Sequence, residues 1–208
     1  MKDIHQLWSV PCLWQHLGDR RLWGDRARDC TASKGVWHEG AGYAGRAGGS
    51  LQYRGYLPPG LGDPEGTLPD DYFTMEELPA LLRQSDYVVL GVPLVDHTRH
   101  LIGAEELAQM QPHALLINIG RGGLIDQVAL LDALQQKRIG GAVLDVTDPE
   151  PLPADHPLWH QENVIITPHM AGHSPNHFDN VVALFAENLR RYQTGEPLLN
   201  LVRRELGY

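Results

Sequence analysis

Three features are scarce in this sequence: long hydrophobic runs, basic residues and cysteine. No apolar run is long enough to cross a bilayer, and Met1 is followed by polar residues rather than by the charged and then apolar pattern of a secretion signal. We therefore expect a soluble, cytoplasmic protein that has no membrane partner.

The scarcity of basic residues excludes another class of partner. The sequence has 17 Lys and Arg against 26 Asp and Glu, for a formal net charge of -9, and no basic cluster reverses that sign locally. Such a chain repels polyanions, so we expect no nucleic acid partner. The only cysteines are Cys12 and Cys30. Without a secretion signal we expect both to be reduced, and they support no metal or redox site.

The character of the sequence changes near residue 56. Residues 1–55 contain both cysteines and four of the five tryptophans, and they keep neither a helical nor a strand period. A loop dense in proline and glycine follows at 57–66. After it, short apolar runs alternate with amphipathic stretches. We predict an irregular segment over 1–55 and an α/β unit over 56–208.

The alternation in this second part predicts a parallel sheet. The predicted strands are 87–92, 114–119, 141–146 and 164–167, and the predicted helices are one that begins with a Thr74 cap, then 103–110, 127–137 and 175–194. Continuous apolar strands such as 114–119 are typical of parallel sheets buried on both faces. The order indicates an incomplete doubly wound parallel α/β sheet, amounting to half of the complete fold.

Polar residues follow each predicted strand, where an open α/β sheet binds its ligand. Arg121 lies in INIGRGGLID, Glu150 in GGAVLDVTDPEPLP and His169 in NVIITPHMAG. Oxidation of a hydroxy acid requires a cation for the substrate carboxylate, a base for the hydroxyl proton and a carboxylate beside that base. Arg121, His169 and Glu150 supply these three groups.

The order of these motifs resembles the D-isomer-specific 2-hydroxyacid dehydrogenases, over roughly residues 56–208. The resemblance implies a Rossmann-like fold that binds NAD or NADP and transfers hydride to or from a small 2-hydroxy or 2-keto acid. It implies that Arg121 binds the substrate carboxylate, that His169 is the general acid and base, and that Glu150 holds the imidazole. It also implies a possible homodimer.

The same resemblance implies a set of cofactor contacts. Asp145 corresponds to the residue that holds the nicotinamide carboxamide. The remaining implied cofactor-lining positions are Val92, Pro93, Ile119, Gly120, Ala171 and Gly172.

Each candidate residue also has a purely structural interpretation. Arg121 could be a surface arginine, Glu150 a turn residue and His169 a core histidine, but the order of the motifs at consecutive strand ends favours the functional interpretation. A metal site at His169, His173 and His177 is a further alternative. Pro168, Gly172 and Pro175 interrupt any single helix through these histidines, so we predict no metal.

The first 55 residues lack an expected unit. A dinucleotide-binding fold places the glycine fingerprint G-x-G-x-x-G between its first strand and helix, and we predict no such unit here. Read one base later, with allowed synonymous codons, residues 18–42 become AIVGYGAIGRETARLLKAFGMKVLA, which has that fingerprint. We therefore predict that residues 1–55 are an aberrant segment translated out of frame.

This prediction separates the encoded function from the function of the chain. Without the fingerprint unit and a substrate domain, we expect weak or no turnover. The alternative is a non-catalytic remnant that acts as a dimerisation or nucleotide-binding scaffold. Cofactor binding without turnover would favour the scaffold.

Overall fold

The computed structural model describes residues 35–37, 71–173, 177–202 and 204. The predictions made for Cys12, Cys30, Pro175 and the loop at 57–66 lie outside the described residues. The same holds for the segment 1–55, apart from residues 35–37.

Four parallel strands form the main sheet, and their order in the sheet follows their order in the chain. They are β3 Tyr87–Leu90, β4 Leu115–Asn118, β5 Gly141–Leu144 and β6 Val164–Ile166. Each lies inside a predicted strand, and all pairings are parallel. The predicted Rossmann-like parallel α/β architecture is confirmed.

A second, two-stranded sheet pairs β1 Gly35–Trp37 in parallel with β2 Asp71–Phe73. Neither strand was predicted, because three residues are too few to establish an alternating pattern. The segment 1–55 therefore contains a short strand where we predicted irregular structure.

The described part of the chain has four α-helices beside the strands: α1 Leu78–Gln84, α2 Ala104–Gln109, α3 Gln127–Gln135 and α4 His177–Thr194. The predicted start of α1 at a Thr74 cap is wrong. The N-cap is Glu77, and the Thr74 amide instead donates to Glu77 Oε2 at 2.9 Å within the preceding turn. Pro79 suits the first turn of the helix, because its missing N–H needs no partner there.

The core lies between the sheet and helices α1 to α3. Leu82, Leu107 and Leu130 on these helices are fully buried, as are Leu116 on β4 and Leu144 on β5. Burying one such side chain stabilises the fold by about 1.5 to 3 kcal/mol. Helix α4 differs, because none of its described residues is buried.

Among the described residues, no helix is both long and apolar enough to span a membrane.

Candidate active site

The carboxyl ends of the four main strands form one continuous edge. The Ile119 amide, after β4, donates to the Leu90 carbonyl at 3.1 Å. After β5, the Asp145 amide donates to the Asn118 carbonyl, and after β6 the Thr167 amide donates to the Leu144 carbonyl, both at 2.9 Å. The segments that follow the strands are therefore neighbours, as a shared crevice requires.

His169 and Glu150 meet at this edge. His169 Nδ1 lies 2.6 Å from Glu150 Oε1, although the two residues are 19 positions apart. Both side chains are partly exposed, at 46% and 41%. When the carboxylate is ionised it can only accept a hydrogen bond, and Nδ1 is then the nitrogen that donates in this pair. Nε2 is then the ring nitrogen that can exchange a proton with a ligand.

Arg121 lies at the same edge, directly before a 3-10 turn at Gly122–Leu124. It is exposed, and its Nη1 donates to the Gly120 carbonyl at 2.7 Å. Within the described part of the chain, its guanidinium makes no hydrogen bond or ion pair with Glu150 or His169. A guanidinium has five donors in a fixed fork, so most of its N–H groups remain for a carboxylate.

Hydrogen bonds from helix α3 hold the loop that carries Glu150. The Gln127 side chain makes two hydrogen bonds to the Asp148 backbone, accepting from its amide at 3.2 Å and donating to its carbonyl. The Thr147 hydroxyl also donates to the Pro149 carbonyl at 2.9 Å. Together these bonds fix the backbone on which Glu150 lies.

Gly122 allows the Arg121 turn to contact this loop closely. A Cβ atom at Gly122 would lie 2.1 Å from the carbonyl carbon and oxygen of Thr147 and 2.6 Å from the Asp148 amide nitrogen. These are backbone atoms and cannot rotate away. Only glycine therefore permits this separation between the segments that carry Arg121 and Glu150.

Asp145, directly after β5, is 4% exposed. Its carboxylate accepts hydrogen bonds from the Thr167 hydroxyl at 2.5 Å, the Met170 amide at 2.9 Å and the Ala171 amide at 2.8 Å. Its backbone carbonyl accepts from the His169 amide at 3.0 Å. Asp145 therefore contacts several parts of the turn that presents His169.

The residues predicted to line a cofactor also follow the strands at this edge. Val92, Pro93 and Ile119 are half-buried, as is Ala171, while Gly120 is buried. A Cβ atom at Gly172 would meet nothing within 4 Å, so this backbone borders open space. Half-buried apolar side chains are suited to pack against a nicotinamide ring, and a carboxylate is suited to accept a hydrogen bond from its carboxamide.

Two positioning residues were missed by the sequence reasoning. Asn118 is fully buried; its Oδ1 accepts from the Gly120 amide at 3.1 Å and its Nδ2 donates to the Arg121 carbonyl at 2.8 Å. Thr167 was missed in the same way. A polar residue that ends an apolar strand was the available signal, because a buried polar group requires a partner.

The prediction about the glycine fingerprint also needs correction. The spacing G-x-G-x-x-G occurs at Gly40, Gly42 and Gly45, shortly after β1 Gly35–Trp37. The statement that residues 1–55 lack this spacing is therefore wrong for the sequence as written. The three glycines lie outside the described residues.

The structure gives no support to a histidine metal site. Within the described ranges, no three His, Cys, Asp or Glu side chains are grouped as metal ligands. The rings of His173 and His177 are 6.2 Å apart between centroids.

The family model for the D-isomer specific 2-hydroxyacid dehydrogenase NAD binding domain matches residues 61–171. A glyoxylate reductase from Korarchaeum cryptofilum is 42% identical over 69% of this chain and 42% of its own length. An (S)-sulfolactate dehydrogenase from Chromohalobacter salexigens is 46% identical over 56% of this chain and 38% of its own length.

A solved structure shows the same similarity. The D-isomer specific 2-hydroxyacid dehydrogenase of Xanthobacter autotrophicus Py2, in complex with NADPH and MES, matches with a TM-score of 0.62 and 41% identity. The match covers 66% of this chain and 56% of that one. The chain thus spans less than half the length of the curated relatives described above.

Proposed function

The chain belongs to the D-isomer specific 2-hydroxyacid dehydrogenase family, and from this premise we propose that it is an oxidoreductase. It transfers hydride between NAD(H) or NADP(H) and the C2 carbon of a small 2-hydroxy or 2-keto acid. The observation that carries this proposal is the 2.6 Å contact between His169 Nδ1 and Glu150 Oε1 at the carboxyl edge of the sheet.

His169 exchanges the proton in this reaction. During reduction of a 2-keto acid, Nε2 donates a proton to the carbonyl oxygen as that oxygen becomes a hydroxyl, and during oxidation it removes the same proton. Glu150 keeps the other ring nitrogen protonated and stabilises the positive charge of the imidazolium. The pair therefore serves both directions of the reaction.

Arg121 binds the acid. Its guanidinium holds the substrate carboxylate in a bidentate pair, which fixes the orientation of C2 relative to His169. The Asn118 side chain supports this role, because it bonds to the Gly120 amide and the Arg121 carbonyl and so holds the backbone of both residues.

A nicotinamide cofactor, when bound, supplies or accepts the hydride. Val92, Pro93, Ile119 and Gly120 would line its binding site after β3 and β4. Ala171 and Gly172 would line it after β6, with Asp145 beside the carboxamide. NAD and NADP remain equal alternatives, as do glyoxylate and related small acids.

The relatives suggest the substrates for the first assay. The Korarchaeum cryptofilum protein is a glyoxylate reductase, so glyoxylate and hydroxypyruvate would be tested with NADH and with NADPH. We expect slow oxidation of the reduced cofactor by this chain. It should be abolished in His169→Asn, which keeps a residue tolerant of the local backbone conformation, and reduced about tenfold or more in Glu150→Gln.

Glu162→Gln is the matched control, because Glu162 is exposed and precedes β6 at the opposite edge of the sheet. Its activity should equal that of the unaltered chain. Cofactor binding without any turnover that depends on His169 would support the nucleotide-binding scaffold instead. A chain that neither binds the cofactor nor turns over substrate would contradict both proposals.

The division of the chain at residue 56 is part of the same proposal. We infer that residues 1–55 are out of frame, and the start of the family match at residue 61 supports that boundary. Sequencing the gene in all three frames tests it. An uninterrupted frame that encodes residues 1–55 as printed, with no glycine unit in the neighbouring frame, would contradict the inference.

A further inference from the structure

His169 has a backbone conformation that few residues adopt. Its φ is 51°, in the left-handed region where a side chain other than glycine is strained. Such strain persists only where surrounding contacts hold it. The neighbouring residues must therefore make bonds that compensate for it.

Those bonds converge on Asp145. The carboxylate accepts from the Met170 and Ala171 amides, which directly follow His169, and from the Thr167 hydroxyl, which precedes it by two residues. The His169 amide bonds to the backbone carbonyls of Asp145 and Thr167, both at 3.0 Å. One buried residue thus contacts both sides of His169.

Charge makes these contacts strong. Hydrogen bonds from N–H or O–H groups to a buried carboxylate are charge-assisted and stronger than neutral ones. If the carboxylate were lost, two amides and a hydroxyl would lose their charged acceptor in a partly buried turn.

On these observations, and resting on the proposed function, we propose that Asp145 is a positioning residue for His169, with Thr167 as its side-chain partner. The carboxylate holds the turn over 167–171 in the conformation that points the imidazole at Glu150. This role is additional to the cofactor contact that the resemblance implies for Asp145.

The two roles of Asp145 are compatible. A carboxylate has about four acceptor positions, and the protein occupies three of them, two on Oδ1 and one on Oδ2. One acceptor position on Oδ2 is thus not used by the turn, and a cofactor contact of Asp145 would use it. A ligand bonded there would share an acceptor with the turn that carries the imidazole.

Amide hydrogen exchange on the full chain tests the positioning role without an activity measurement. In Asp145→Asn, exchange of the Met170 and Ala171 amides should accelerate about tenfold or more, because the charged acceptor is lost. Asp148→Asn is the matched control, since Asp148 is exposed after the same strand and does not contact the turn. Equal exchange in Asp145→Asn and the unaltered chain would overturn the proposal.

Thr167 provides a second pair of variants in case Asp145→Asn does not fold. Thr167→Val removes the hydroxyl, whereas Thr167→Ser keeps it. The His169 Nδ1–H proton gives an NMR signal that is correlated with its nitrogen. We expect Thr167→Val to weaken this signal and Thr167→Ser to preserve it. If the signal is the same in both variants, Thr167 does not help to hold His169, and this result contradicts the proposed role of the Thr167 hydroxyl.

Kinetics separate positioning from cofactor binding wherever turnover is measurable. Thr167→Val should lower kcat about tenfold through misplacement of the imidazole, with an unchanged KM for the reduced cofactor. A raised KM with unchanged kcat would instead assign Asp145 and Thr167 to cofactor binding alone. Should the dehydrogenase activity itself be absent, the exchange and NMR measurements still decide whether Asp145 holds His169.

Discussion

Individual residues in this site are fixed by backbone geometry as much as by side-chain contacts. Gly122 is the clearest example, because its missing Cβ lets the Arg121 turn lie against the backbone of Thr147 and Asp148. The separation between the segment that carries Arg121 and the loop that carries Glu150 depends on that contact.

We expect Gly122→Ala to lower the free energy of unfolding by about 1 to 3 kcal/mol, since the added methyl group overlaps backbone atoms. Thermal or denaturant unfolding measures this change. Gly172→Ala is the matched control and should leave the stability nearly unchanged, because nothing lies within 4 Å of its added Cβ. Equal stabilities for the two variants would show that the turn can move away from the loop.

The sequence was sufficient to predict some features of this site and not others. Arg121, Glu150 and His169 could be selected because their motifs resemble a known family and follow successive strands. The bonds of Asp145 to the Met170 and Ala171 amides could not, because a backbone N–H is the same in every residue except proline. Their partners are set by the turn, which the sequence pattern does not specify.

At the scale of elements, the end of α4 is held by an ion-pair network with the segment that follows it. Arg190 bonds to Glu187 on the helix and to Glu196 beyond it, and the Asn188 side chain bonds to the amide and carbonyl of Leu199.

Hydrogen bonds from Arg190 and then Arg191 lower the pKa of Glu187 from 4.5 to about 2. Hydrogen bonds from Arg190 and then Thr194 lower the pKa of Glu196 to the same range.

These lowered pKa values predict how the segment responds to acid. The ordinary pKa of a Glu carboxyl is 4.5, and in the folded chain it is about 2 for both residues. Each carboxylate therefore stabilises the folded chain fully above pH 4.5, and this stabilisation is lost as the pH falls to about 2. The Leu199 amide should therefore exchange faster between pH 4.5 and about 2, after correction for intrinsic exchange. Arg190→Gln should weaken this pH dependence, because only Arg191 and Thr194 then still bond to the two carboxylates. Arg138→Gln, in a separate surface pair, should retain it in full. An amide that keeps its protection throughout would contradict the prediction.

The elements themselves were largely predictable, because strands such as Leu115–Asn118 are apolar runs bounded by turn residues. Their ends were less so. Helix α1 begins at Leu78 rather than after Thr74, because the Glu77 side chain bonds to the Thr74 amide and forms a separate turn. The strand Asp71–Phe73 is too short to have a period.

At the scale of the whole molecule, α4 carries an exposed apolar stripe. Its members recur at helical spacing, and they are Phe178, Val181, Val182, Phe185, Leu189 and Tyr192. Contiguous apolar surface of this kind promotes association. The homodimer expected from the sequence stays a prediction.

We expect Phe185→Glu to reduce concentration-dependent association, measured by sedimentation velocity, because it places a charge at the centre of the stripe. Ala183→Glu is the matched control, since it adds the same charge to an exposed position on the opposite face of α4. Association that is unaffected by Phe185→Glu, or reduced equally by both variants, would show that the stripe does not drive it.

The strand order has a consequence for how the active site assembles during folding. Val88 pairs with Leu116, Leu116 with Ala142 and Val143 with Ile165, so the first two pairings enclose a whole helix and the third encloses a long loop. Such non-local pairings close slowly. His169 follows β6, the last strand of the sheet, and therefore reaches Glu150 only when that strand has docked beside β5. The contact between His169 and Glu150 is accordingly among the last that the sheet can form.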